Sequence, residues 1–189
     1  MRKLYNPFEK YSDKTLFTAG LAITILGSVL GYFMDAKFDH LLHISFTGAT
    51  FLEPFIDNAV NLFILFTVLY IVGYFINKKT RVIDILNTVM ISRGPFYLSV
   101  LVNSNGYFAD VTERMVTAGG NLSSITTGEL AFMLAAALIA ISVLVWSIAL
   151  LYNGFRVATN LKKAIHQVSF ALGIIIADIL SIYIIYLIN

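Results

Sequence analysis

Five long apolar runs, separated by shorter polar stretches, organise this chain. They cover about residues 15–34, 58–76, 82–102, 130–152 and 164–187. A helix that crosses a bilayer needs about 20 mostly apolar residues, so each run predicts one membrane-spanning helix. The expected fold class is all-α: a single polytopic domain over residues 1–189 with five transmembrane helices. The third run is the least apolar, because it holds Asn87, Ser92, Arg93, Gly94 and Pro95. A proline removes one helical hydrogen bond, so a kink or local unwinding is expected at Gly94 and Pro95. Between the first two runs, residues 36–57 carry Phe38, Leu41, Leu42, Ile44, Phe46 and Phe51. That segment is too apolar to float free; it is expected to lie along the membrane surface or to pack on the bundle. Residues 104–128 are more polar and read as a loop with one helical turn near 111–116.

Composition agrees with lipid as the main solvent. Hydrophobic residues make up 58% of the 189 positions and charged residues only 13%. A soluble domain is usually about 25% charged. The first run is longer than the roughly 7–15 residues of a signal-peptide core, so it reads as a retained span. The formal net charge of +2 supplies no basic face for nucleic acid. The absence of cysteine excludes disulfides, thiolate metal sites and a cysteine nucleophile.

Charge orients the spans. Ten basic residues fall in three clusters: Arg2, Lys3, Lys10 and Lys14; Lys78, Lys79 and Arg81; Arg156, Lys162 and Lys163. The intervening segments on the other side carry only Lys37 and Arg114, among many carboxylates. Cytoplasmic loops are enriched in Lys and Arg, so the N-terminus is expected in the cytoplasm and the C-terminus outside. Removing the third span would put the Arg156 cluster on the wrong side. The six basic residues Lys78, Lys79, Arg81, Arg156, Lys162 and Lys163 form an expected cytoplasmic surface for anionic headgroups.

Two charges lie deep within apolar runs, Arg93 and Asp178. A charge at the bilayer centre costs about 2.5–3.5 kcal/mol on insertion scales and generally faces a partner. Their depths match to within a few ångströms at about 1.5 Å per residue, which predicts an interhelical ion pair. Such a pair acts as a structural clamp, or lines a polar cavity or ion path. Asn58 and Asn61 are expected to hydrogen-bond across helices. Asp84, in the first turn of its helix, suits the helix dipole. His40 and His43, with Asp35 and Asp39 near them, lack a convincing third or fourth ligand, so no metal or other cofactor is expected. No phosphate-binding glycine loop and no GxSxG elbow occurs, and the chain is not expected to be an enzyme. Gly27 and Gly31, the Ala131/Ala135 and Ala136/Ala140 pairs, and the row Ser169, Gly173, Ala177 and Ser181 form small-residue stripes suited to close helix packing.

The stretch 146–156, with Trp146, Tyr152, Gly154 and Arg156, runs out of the fourth span into a basic loop at Asn160, Leu161, Lys162 and Lys163. A final apolar helix follows, and the third span carries Arg93, Gly94 and Pro95 near its middle. In these features and in its five spans the chain resembles the Yip (Ypt/Rab-interacting protein) family, in its short bacterial-type form. The resemblance implies a non-enzymatic protein of a bacterial cytoplasmic membrane. It would act in membrane organisation or as an adaptor, with the lipid bilayer and a protein partner or second copy as its company. The competing expectation is a small transporter or channel built on Arg93 and Asp178.

Overall fold

A computed structural model describes residues 6–188; Arg2 and Lys3 of the first basic cluster lie outside them. Among the described residues five helices are long and apolar enough to cross a membrane. Helix α1 spans Asp13–Phe33 and opens on Ser12, whose hydroxyl accepts the Thr15 N–H at 3.3 Å. A short hairpin follows, β1 (Lys37–His40) and β2 (His43–Ser45). Helix α2 spans Glu53–Ile76, with Pro54 in its first turn, and α3 spans Val82–Leu98. The chain continues through 3-10 turns at Ser99–Gly106 into α4, Tyr107–Thr117. Helix α5 covers Thr127–Thr159 and α6 covers Ala164–Ile188. The all-α polytopic class holds, with the hairpin as an addition to it.

Helix α3 is the centre of the bundle. It packs against α1 on one side and α5 on the other, while α2 packs against α6. Eleven of its 17 residues are buried, against six of the 25 in α6. Protein rather than lipid therefore surrounds α3, which explains why its sequence can be the least apolar. The α-helix also runs unbroken through Gly94 and Pro95 to Leu98. The break expected at Pro95 comes later instead, at Asn103–Asn105, where Asn105 adopts a left-handed φ of 58°. Asn103 spans that break: its amide donates to the Met34 carbonyl at 2.9 Å, and its side-chain oxygen accepts the Ala109 N–H at 2.8 Å.

Small residues set the helix separations. A Cβ on Gly27 would overlap the Tyr97 ring of α3, and one on Gly154 of α5 would overlap Thr88. The Gly27/Gly31 pair thus serves packing within the chain: Gly31 receives Phe38, whose ring atom lies 2.9 Å from where a Cβ would stand. In α6, Gly173, Ala177 and Ser181 are buried while Ser169 is half-buried.

The loop after α3 is more helical than one turn: α4 is an 11-residue helix. It is tied to α5 by Arg114, which pairs with Asp110 at 3.2 Å and with Glu129. Glu129 sits in the capping turn ahead of the apolar stretch of α5. The Arg114 guanidinium and the Thr126 backbone N–H together hold its carboxyl down to about 2. Two ends of the bundle can now be distinguished. The basic end carries the turn at residues 77–81 and the α5–α6 connection. The hairpin end carries β1, β2 and α4.

Candidate functional site

Helices α2, α3 and α6 place four polar side chains, Asp57, Asn61, Arg93 and Asp178, against the hairpin backbone. The hairpin is itself apolar where it meets them: Ala36, Phe38 and Leu41 are buried. Burying apolar side chains draws the strand backbone in with them, and backbone N–H and C=O groups without water need partners. The surrounding helices supply these partners. Asp57 of α2 accepts the Phe38 N–H at 3.2 Å. One turn on, Asn61 donates to the Phe38 carbonyl at 2.8 Å, and its own oxygen accepts the Ser181 hydroxyl of α6. Asn58 donates to Ser28 of α1 at 2.9 Å. The expected cross-helix role of Asn58 and Asn61 is therefore present, and Asn61 additionally grips the hairpin.

The hairpin tip is the deepest contact. β1 and β2 pair antiparallel with His40 opposite His43, leaving Leu41 and Leu42 as a two-residue turn. Free two-residue hairpins favour turns with a positive φ. Among the described non-glycine residues only Asp35, Asn105 and Asn160 have one, so Leu41 and Leu42 form a different turn. The peptide between the two turn residues has no partner within the hairpin. The bundle provides both of its partners. Arg93 of α3 donates from Nη1 to the Leu41 carbonyl. Asp178 of α6 accepts the Leu42 N–H at 3.2 Å and also bonds His40 Nδ1 at 2.8 Å. Asp178 is ten residues from the end of α6, so the tip reaches about 15 Å into the bundle at 1.5 Å per residue.

This arrangement corrects the expected ion pair. Arg93 and Asp178 reach the same depth on α3 and α6, as their positions imply, but they do not bond each other. The Leu41–Leu42 peptide lies between them. The Arg93 guanidinium also stacks over Phe96 at 4.4 Å and lies 5.6 Å from the Tyr97 ring centre, contacts that stabilise a desolvated cation. The residue is 4% exposed. Among the described residues its Nε and Nη2 have no hydrogen-bond partner, and neither does the Ser147 hydroxyl of α5. Arg93 and Ser147 both line a small cavity of about 20 Å³.

The remaining candidates separate into ordinary roles. His40 and His43 stack with ring centres 5.0 Å apart, and His43 pairs with Asp39 at 3.2 Å. No group of three His, Cys, Asp or Glu residues suited to a metal occurs among the described residues. At the basic end Lys78, Lys79, Arg156, Lys162 and Lys163 are exposed. Lys78 lies over the Tyr74 ring at 4.7 Å. Arg81 differs from the others. It bonds Asp84 through Nε at 2.9 Å and Asp13 through Nη1 at 3.0 Å, which raises its pKa and ties the start of α3 to α1. Asp84 is thus a partner of Arg81 as well as a first-turn acid.

Sequence reasoning missed the hairpin and, with it, the purpose of the buried polar groups. One signal was available. Asp57 and Asn61 are four apart and share a helical face, so both point toward something that needs a donor and an acceptor. No protein family, curated protein or solved structure matches the chain.

Proposed function

We propose that this chain is a non-enzymatic, Yip-like integral membrane protein acting in membrane organisation or as an adaptor that engages lipid and protein partners. Its N-terminus and exposed basic residues face the cytoplasm of a bacterial cell in this reading. The observation that carries it is the use made of the two intramembrane charges. Arg93 and Asp178 are both engaged by the backbone of the hairpin tip, and the cavity beside Arg93 is about 20 Å³. A space of that size holds about one water. A conduction path needs a continuous row of accessible polar groups, whereas these charges hold structure in place.

Reconstitution tests the reading from two sides. Liposomes containing the protein should pass protons, potassium and chloride no faster than empty liposomes. A flux above that baseline, abolished by Asp178→Asn, would return the chain to the transporter or channel reading. In nanodiscs of mixed lipid, the protein should enrich anionic phospholipid around itself. Each basic residue near the surface contributes about 1 kcal/mol, so replacing Lys79, Arg156, Lys162 and Lys163 with Gln should abolish the enrichment.

A further inference from the structure

We propose that the bundle binds a medium-chain alkyl carboxylate, with its chain in the groove between the hairpin and α5 and its head on Arg93. Three observations combine here. First, an apolar groove of about 360 Å³ lies at the hairpin end, walled by β2, the end of α3, α4 and α5. On its α5 side Ala136, Ala137 and Ala140 lie among Met133, Ile141 and Leu144, and the three small side chains leave space. That volume is within the range of about 300–1,000 Å³ for small-molecule sites.

Second, the groove and the small cavity beside Arg93 share the wall residues Leu42, Phe96 and Leu144. One layer of side chains separates them, and two of the three are leucines, which can change rotamer. With Leu42 and Leu144 turned aside, a ligand lying in the groove has its inner end next to Arg93 and Ser147.

Third, the free donors of Arg93 have a specific shape. Nη1 is used by the Leu41 carbonyl, leaving Nε and Nη2 without partners. Those two nitrogens form one edge of the guanidinium, with their N–H bonds parallel. A planar carboxylate accepts from such an edge through both oxygens, a match that a single water or a halide does not make. The Ser147 hydroxyl, also unpartnered on the cavity wall, is a third donor. The bound carboxylate would also be the first to contact Arg93 directly, since Asp178 is held off by the Leu41–Leu42 peptide. A long chain ending in one carboxylate satisfies both parts of the site; a cationic amphiphile or an ester satisfies only the groove.

The test is saturable binding of radiolabelled dodecanoate to the full chain in nanodiscs of zwitterionic lipid, measured against empty nanodiscs. We expect one site per chain, competed by unlabelled dodecanoate but not by methyl dodecanoate or dodecyltrimethylammonium. Ala140→Phe, which fills the groove and touches none of the hairpin clamp, should abolish binding. Ser147→Ala should weaken it, and Arg93→Lys should weaken it at least about tenfold, because an ammonium lacks the two-donor edge. Binding no higher than in empty nanodiscs overturns the proposal. So does equal competition by the methyl ester, or unchanged binding by Ala140→Phe. Should Arg93→Lys fail to fold, the Ala140 and Ser147 variants and the ester comparison still decide the matter.

Discussion

Arg93 and Asp178 hold opposite ends of one peptide unit: Arg93 donates to the carbonyl of Leu41, and Asp178 accepts the N–H of Leu42 at 3.2 Å. The roles are fixed by chemistry, since a guanidinium only donates and a carboxylate only accepts. Exchanging the two residues therefore places a donor against an N–H and an acceptor against a carbonyl. The double variant Arg93→Asp, Asp178→Arg should be no more stable than either single variant. A direct ion pair would have been restored by the same exchange. Asp178→Leu, which leaves the Leu42 N–H without an acceptor, should cost about 1–3 kcal/mol. Thermal unfolding in detergent, with a cysteine placed at the buried Leu41 to report exposure of the tip, measures both effects.

At Gly27 the buried Tyr97 ring of α3 packs directly against α1. Tyr97 contacts Phe38 edge to face at 5.5 Å, so the ring has little room to move. Gly27→Ala should destabilise the bundle by about 1–3 kcal/mol, the usual cost of overpacking. The same change at Gly128, whose Cβ would meet only Thr126 Oγ1 at 3.9 Å, should be close to neutral. Comparing the two unfolding temperatures checks the assignment, and equal shifts would remove Gly27 from the contact.

The helices were legible because a bilayer allows few solutions. Lipid offers backbone groups no partners, so apolar runs of sufficient length become helices whatever their partners are. The hairpin was not legible for the complementary reason. Residues 37–45 are too short and irregular to satisfy their own backbone, and their conformation depends on Asp57, Asn61, Arg93 and Asp178 from three other helices. The depths of Arg93 and Asp178 were readable by counting residues, but not the chain that would lie between them. The polarity of α3 was equally ambiguous. Without knowing that α1 and α5 flank it, a mixed sequence around Pro95 looks like a break instead of a buried centre.

The absence of cysteine makes the orientation directly measurable. Lys79 and Lys163 are exposed at the basic end, and Thr117 is exposed at the end of α4. With the basic end cytoplasmic, single cysteines replacing Lys79 or Lys163 should resist a membrane-impermeant maleimide added to intact cells and react after permeabilisation. A cysteine replacing Thr117 should react in intact cells. The reverse pattern would invert the proposed topology. All three replacements are exposed surface changes, which usually alter stability by no more than about 0.5 kcal/mol.

The attachment of α4 should depend on pH through Glu129. Arg114 and the Thr126 N–H hold its carboxyl at about 2, below the usual carboxylate range of about 4. A depressed folded-state value means that the stabilisation is fully present above the ordinary value and is lost as pH falls toward the folded one. Asp110 pairs with Arg114 as well, and Glu113 lies beside Arg114 in the chain. Glu129→Gln separates the charge from the cap, because a glutamine side chain can still accept the Thr126 N–H. Hydrogen exchange over residues 107–117 should show α4 protected at neutral pH and loosening as pH drops from about 4.5 to about 2. In Glu129→Gln the same amides should exchange faster already at neutral pH, with a flatter pH dependence. Protection unchanged by this substitution would mean that apolar contacts hold α4 without help from Arg114.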